Sequence, residues 1–243
     1  MRRKALLIGN SNGLSGVKLD IHNFAEFLKH DVGGQWYDSE IEIKINPSKS
    51  DLLATVQQFK NARYDFAYVV FSGHGAYAKS TILEINGNEE YVFESDLKNI
   101  STRQISIFDC CRQSIKLSDF LKESLKSFSN SMSGTANIRA KYDARIMQAI
   151  EQQISLYACS VNETALDTEN GGLYIQNLLK AAANVSNEYK LVGVAHEEAA
   201  TATKNAAWNE EKHTQNPTAT LPKCISSQQL IISINPNYNP YRY

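Results

Sequence analysis

Two stretches decide the fold of this chain, Phe71-Ser72-Gly73-His74-Gly75 and Ile107-Phe108-Asp109-Cys110-Cys111-Arg112. The residues leading into each are mostly apolar and rich in β-branched and aromatic side chains, as in central strands that helices cover on both faces. Each stretch therefore predicts the C-terminal end of a buried strand that delivers one polar side chain to the sheet edge. The first delivers His74 and the second delivers Cys111, 37 residues later.

A cysteine beside a histidine is the smallest set of side chains that can carry out nucleophilic acyl transfer by a thiol. The thiolate attacks, and the imidazole accepts its proton and helps to keep it ionised. Taken singly, His74 could be a solvated turn residue and Cys111 a small buried apolar side chain, which is the common state of a free cysteine. The pair at two strand ends favours catalysis.

Strand and helix patterns alternate along the chain. Strands are predicted at 4–8, 40–45, 66–71, 105–108, 156–158 and 230–234, a hairpin at 82–92, and helices at 19–30 and after the capping residue Ser48. This alternation predicts an α/β fold with a doubly wound, mostly parallel sheet of about six strands and helices on both faces. The crevice of such a sheet lies beyond the carboxyl ends of its strands, where His74 and Cys111 both fall.

The chain is expected to form a single domain, 1–243, in which a polar connecting segment, 113–153, separates a first part, 1–112, from a second part, 154–243. Residues 124–134 are rich in serine, lysine and asparagine, and three basic residues follow, Arg139, Lys141 and Arg145. The composition predicts a long surface connection with some helix in it, and connections of this length tend to be functional or mobile.

Composition excludes several classes of protein. A net charge of −1 offers no basic surplus for a nucleic acid. The apolar run at 5–8 is too short for an export signal or a membrane span. The four cysteines lack metal-type spacing, and the vicinal pair Cys110-Cys111 is an awkward disulfide, so we expect no metal site and a reducing, cytoplasmic setting.

At these residues the chain resembles the caspase and metacaspase peptidases, and it is nearer to metacaspases and prokaryotic caspase-like proteins. The similarity is carried by segments 5–10 (ALLIGN), 14–20 (LSGVKLD), 72–75 (SGHG), 109–112 (DCCR), 157–160 (YACS) and 172–176 (GLYIQ). The caspase signature has glutamine where Asp109 stands and a histidine about 50 residues upstream, so this chain matches the broader family. Alignment with that signature selects Cys111 as the nucleophile and leaves Cys110 directed into the core.

The resemblance implies a cysteine endopeptidase, possessing a Cys111–His74 dyad, that acts on proteins or peptides. It further implies an oxyanion hole formed by the backbone N–H groups of Gly75 and Cys111. The glycine would let the main chain approach closely. The chemistry requires no cofactor, and the sequence leaves open whether calcium activates the protein. A signalling, cell-death or defence role follows from the family alone.

The resemblance also bears on specificity. The S1 pocket of a protease holds the substrate side chain before the cleaved bond. In caspases that cut after aspartate this pocket is lined with arginines, and Leu14 stands at the position of the first of them. Metacaspases carry carboxylates instead, matched by Asp20 and Asp109 and, more loosely, by Asp167. An acidic pocket selects arginine or lysine. For each acid taken alone a helix cap or a solvated charge is the alternative, above all for Asp20, which precedes a predicted helix.

In the resembling family the connecting segment is often cut, as in a zymogen. We therefore expect cleavage after Arg139, Lys141 or Arg145, by the protein itself or by an upstream activating protease. Two other hypotheses remain. The chain could be a caspase-like pseudoenzyme that serves as a binding or scaffolding module, or a nucleotide-binding or flavodoxin-like protein, although it lacks a glycine-rich phosphate loop.

Overall fold

The computed structural model describes residues 1–114 and 136–239. Its strands are β1 (Arg3–Gly9), β2 (Ile41–Ile45), β3 (Tyr64–Ser72), β4 (Gly75–Tyr77), β5 (Thr81–Glu84), β6 (Tyr91–Phe93), β7 (Ser101–Asp109), β8 (Gln152–Tyr157), β9 (Asp167–Thr168), β10 (Gly171–Gly172), β11 (Tyr189–Leu191), β12 (Thr218–Thr220) and β13 (Ile231–Ile234). The α-helices are α1 (Val17–Lys29), α2 (Lys49–Ala62), α3 (Ala136–Gln148), α4 (Leu173–Ala183) and α5 (Val192–Glu211), and short 3-10 turns lie at Asp31–Gly33, Asp38–Glu40, Glu94–Leu97 and Ser226–Gln228.

The central sheet has six strands in the order β12-β8-β7-β3-β1-β2. Five of them are parallel, and β12 pairs antiparallel with β8 at one edge. The predicted doubly wound, mostly parallel sheet of about six strands is confirmed. The expected last strand at 230–234 does not join it, because β13 pairs with β11 in a separate two-stranded sheet. A short apolar run shows that a strand is buried but not which sheet it joins.

Alternate residues of each central strand face two separate cores. Leu7, Val70 and Ile107 point to the side covered by α1, α3, α4 and α5. Leu6 and Val69 point to the other side, which α2 and the small sheet β4-β5-β6 cover. Since both faces are covered, the strands are apolar throughout, as the sequence pattern indicates.

Local signals place several elements as expected. Ser48 caps α2, its hydroxyl accepting a hydrogen bond from the backbone N–H of Asp51 at 3.2 Å. The predicted hairpin forms as β5 and β6, and β4 adds a third strand. No helix in residues 1–114 and 136–239 is long and apolar enough to cross a membrane.

The predicted connecting segment is not a surface connection throughout. Its later part is helix α3, whose Tyr142 and Ile146 are fully buried in the core. Asp143 of the same helix pairs with the buried guanidinium of Arg3 at 2.8 Å. Helix α3 is therefore part of the folded body, and the serine-rich stretch 124–134 lies outside the described residues.

Candidate active site

The register of two neighbouring strands brings His74 and Cys111 to the same edge of the sheet. Ser72, the last residue of β3, pairs with Asp109, the last residue of β7. His74 and Cys111 each follow two residues after that pair, and both line one surface cavity. The structure thus brings together the two side chains that the sequence singled out.

The imidazole of His74 is held by a backbone group. Its Nε2 lies 2.6 Å from the carbonyl oxygen of Asn12, in the loop after β1. A carbonyl only accepts, so Nε2 carries the proton and Nδ1 of the neutral ring is free to take one. The contact therefore selects the tautomer that a general base requires.

The loop that carries the Asn12 carbonyl is fixed by Asn10. Its buried side chain donates to the carbonyl of Glu84 at 2.9 Å and accepts from the backbone N–H of Asn12 at 3.2 Å. Asn10 thereby ties the loop after β1 to strand β5. Strand β5 is in turn tied to the histidine segment, because the N–H of Glu84 donates to the carbonyl of His74 at 3.1 Å.

Cys111 is half-buried, and its thiol contacts the carbonyl oxygen of Ala165 at 3.8 Å. Burial raises the pKa of this thiol above its ordinary value. Burial therefore disfavours the thiolate, and a base that takes the proton from Cys111 would be needed for attack.

Cys110 behaves as predicted. It is 2% exposed and packs in the core on the α2 side of the sheet. Burial raises the pKa of its thiol well above the ordinary value, so it is unsuited to attack.

Gly75 allows a close approach between the histidine and cysteine segments. A Cβ built at this position would lie 2.6 Å from the Sγ of Cys110 and 3.0 Å from the carbonyl oxygen of Cys111. Any side chain there would force the two segments apart. The close approach of the main chain expected at Gly75 therefore requires a glycine.

Asp20 is not a helix cap, and that alternative is wrong. It lies inside the first turn of α1, where Gly16 occupies the N-cap position, and it is 1% exposed. Its carboxylate accepts hydrogen bonds from the hydroxyl of Ser72 at 2.6 Å and from the N–H of Gly172 at 2.9 and 3.0 Å. Burial is the main cause that raises the pKa of Asp20 to about 7.

Asp109 lines the cavity at the end of β7 and is 5% exposed. It accepts a hydrogen bond from the N–H of Ile175, in the first turn of α4, at 3.0 Å. Burial, followed by the neighbouring charge of Asp20, raises the pKa of Asp109 well above its ordinary value. The two buried carboxylates therefore oppose each other's ionisation.

Asp167 also lines the cavity, in β9, and accepts from the N–H of Gly16 at 3.1 Å. Partial burial raises its pKa. Within residues 1–114 and 136–239, none of the three acids pairs with an arginine or lysine. The cavity lining among these residues contains Leu14 but neither arginine nor lysine. Asp109 and Asp167 thus form an acidic wall of the cavity, with Asp20 buried beside Asp109, and no arginine or lysine among the described residues pairs with them.

The described residues contain no group of three or more histidine, cysteine, aspartate or glutamate side chains arranged to hold a metal ion. The three acids are instead occupied by N–H and hydroxyl donors of the protein, as described above.

The three expected processing residues all lie on helix α3. Arg139 pairs with Glu40 at 2.8 Å, and Arg145 is 6% exposed and donates to the carbonyl of Gln229 at 2.9 Å. Lys141 is exposed. A protease binds its substrate in an extended form, so none of the three is cleavable while the helix is intact.

Sequence reasoning missed three parts of the site. The Asn12 carbonyl is a main-chain group, which no motif reveals, and Gly172 was seen only as part of a similar segment. Arg112 directly follows Cys111 in the sequence, and nothing in the sequence indicates its role. It is buried, donates to the carbonyl of Cys159 at 3.3 Å and stacks over the ring of Tyr157 at 4.1 Å, so it anchors the nucleophile segment.

Comparison with known proteins bears on the family and on the fold. The family model described as caspase domain matches residues 2–224. Caspase-1 from Spodoptera frugiperda superposes with a TM-score of 0.64 at 11% identity, over 98% of this chain and 92% of that one. A protein from Geobacter sulfurreducens superposes with a TM-score of 0.58 at 11% identity, over 94% and 97% of the two chains. A comparison with curated protein sequences gave no match.

Proposed function

The chain belongs to the caspase-domain family of cysteine peptidases, and from that premise we propose that it is an endopeptidase that cleaves proteins after arginine or lysine. The observation that carries the proposal is the acidic wall that Asp109 and Asp167 form in the cavity of His74 and Cys111, with Asp20 buried beside Asp109. A guanidinium or ammonium group would supply the cation that this wall lacks. A substrate aspartate would be repelled.

The proposed chemistry uses the cysteine and the histidine that line the cavity. Cys111 attacks the scissile carbonyl and gives its proton to Nδ1 of His74, which the Asn12 carbonyl holds in the required tautomer. The imidazolium then protonates the leaving amine. In the second half-reaction His74 takes a proton from water, which attacks the thioester and releases the acid product.

The negative oxygen of each tetrahedral intermediate would be stabilised by the N–H groups of Gly75 and Cys111. Donors fixed in a site that excludes water contribute about 3–4 kcal/mol to such a step. The close packing of Gly75 against the cysteine segment supports this assignment.

Binding of a cation would also change the protonation of the wall. Burial keeps the pKa values of Asp20 and Asp109 high in the empty site. An arginine side chain would favour their charged forms, so its binding would release protons. Binding of the substrate arginine would then be coupled to deprotonation of the buried carboxylates.

Covalent labelling tests the proposal against a pseudoenzyme. We expect a peptide with arginine at P1, the residue before the cleaved bond, and a thiol-reactive acyloxymethyl ketone to label Cys111 stoichiometrically. The matched aspartate peptide should not label it, and Cys111→Ala should remain unlabelled by both. Failure of the arginine peptide to react, with intact fold by circular dichroism, would favour the binding-module alternative.

A further inference from the structure

Gly172 occupies the point where the acidic wall meets helix α4. It is the N-cap residue of α4 and lies opposite Asp167 in the β9–β10 pair. Its N–H donates to both carboxylate oxygens of Asp20. Ile175, three residues later in the first turn of α4, donates to Asp109. One helix start therefore holds two of the three acids.

Because glycine has no side chain, the carboxylates of Asp109 and Asp20 can lie close to the Cα of Gly172. A Cβ at this position would lie 2.6 Å from Oδ2 of Asp109, 2.9 Å from its Cγ and 3.1 Å from Oδ2 of Asp20. A separation below about 3.0 Å requires a shift, because carbon and oxygen do not pack so closely. The nearest atoms that a Cβ would meet are thus all from the specificity acids.

The backbone at Gly172 does not itself require glycine. Its φ of −61° and ψ of 129° suit an alanine. Gly171 differs, since its φ of +112° lies in a region that side chains rarely adopt. A side chain at Gly171 would strain the main chain and also crowd Asp20, whereas a side chain at Gly172 would meet both carboxylates without straining the main chain.

Neither carboxylate can yield without losing a bond. Asp20 is 1% exposed and has no solvent to move into, and Asp109, 5% exposed, can move only toward the cavity that the substrate side chain would occupy. A shift of Asp109 would break its bond from Ile175, and a shift of the Gly172 backbone would break its bonds to Asp20. Even a methyl group at 172 therefore displaces part of the wall.

We propose that Gly172 is a specificity-determining residue that positions Asp109, with Asp20 buried beside it, to receive a cationic side chain at P1. Gly172 does not contact the substrate through a side chain or through its N–H. It acts because it leaves space for the carboxylate of Asp109 and because its N–H donates hydrogen bonds to Asp20. This inference rests on the proposed function. It adds that Gly172 sets the position of the carboxylates in the S1 pocket.

The test compares two substrates that differ in charge. Citrulline has nearly the shape of arginine without its charge, so the ratio of kcat/KM for arginine and citrulline peptides reports the carboxylates alone. We expect Gly172→Ala to lower this ratio at least about tenfold, mainly through the KM of the arginine peptide. The citrulline peptide should change little.

Gly193→Ala is the matched control. A Cβ at Gly193, in helix α5, would meet only Leu221 Cδ1, at 3.2 Å, and we expect the ratio of the unmodified protein. Equal losses on both peptides in Gly172→Ala, or an unchanged ratio, would overturn the inference. If the unmodified protein itself does not prefer arginine to citrulline, the proposed function fails, and the inference fails with it.

Discussion

The Nε2 atom of His74 donates a hydrogen bond to the backbone carbonyl of Asn12 across 2.6 Å. A neutral imidazole held at Nε2 presents Nδ1 as its base, so the partner that orients the histidine is a main-chain atom. An acidic side chain is not needed for that task. The orientation depends on the loop after β1, which Asn10 anchors.

Replacing Asn10 is expected to impair catalysis more than binding. Without its side chain the Asn12 carbonyl loses its support, and His74 loses its fixed tautomer. We expect Asn10→Ala to lower kcat by about 10- to 100-fold with a smaller change in KM, as measured with an arginine peptide. Asn88→Ala, at an exposed position, should leave both constants unchanged. A change confined to KM would contradict this role.

The two neighbouring cysteines should respond in opposite ways to substitution. We expect Cys111→Ala and His74→Ala each to abolish peptide cleavage, because the described cavity lining contains no second histidine and the other cysteine there, Cys110, is only 2% exposed. Cys110→Ala should keep substantial activity, since its thiol is buried in the core. Initial rates decide the matter, with thermal unfolding as the check on folding. Activity in Cys111→Ala and none in Cys110→Ala would reverse the assignment.

Removing the charge of Asp109 should weaken selection for arginine. We expect Asp109→Asn to lower kcat/KM on arginine peptides about 100-fold or more, because a desolvated guanidinium then lacks one carboxylate. A library of peptides varied at P1 measures this directly. Efficient cleavage after aspartate by the unmodified protein would refute the acidic S1 pocket.

The stability of the empty protein should fall as the pH rises from about 4 to 7. The pKa of Asp20 is raised to about 7 in the folded state, so in this range the folded chain keeps a proton that the unfolded chain has lost. Deprotonation therefore favours unfolding. We expect urea unfolding to show a larger fall in stability for the unmodified protein than for Asp20→Asn. Equal pH profiles for the two proteins would contradict a buried Asp20 with a raised pKa.

Cleavage on helix α3 should be slow compared with peptide cleavage. Arg139, Lys141 and Arg145 lie in a folded helix, which must open before a protease can bind them in extended form. We expect cuts after these residues to form orders of magnitude more slowly than products of an arginine peptide, with Cys111→Ala left intact. Mass spectrometry over a time course measures both rates. Self-cleavage at these positions as fast as peptide turnover would show that the helix is not a barrier.

The sequence by itself determined the features that depend on neighbouring residues. The apolar runs before His74 and Cys111 predicted two buried strands, and their polar ends predicted a shared edge, because parallel neighbours present their carboxyl ends on one side. Ser48 predicted a helix start, and the alternation of elements predicted the sheet. These signals are local, and the central strands are long enough to show them clearly.

Only the tertiary structure decided which distant residues meet. Asp20 and Gly172 are 152 positions apart, and nothing near Asp20 distinguishes a helix cap from a buried acid. Strand β13 is as apolar as a central strand but pairs elsewhere, and helix α3 is set in the core by Tyr142 and by the ion pair of Asp143 with Arg3. Burial, pairing across a sheet and a main-chain carbonyl as a partner all depend on contacts between segments far apart in the chain, which local periodicity does not encode.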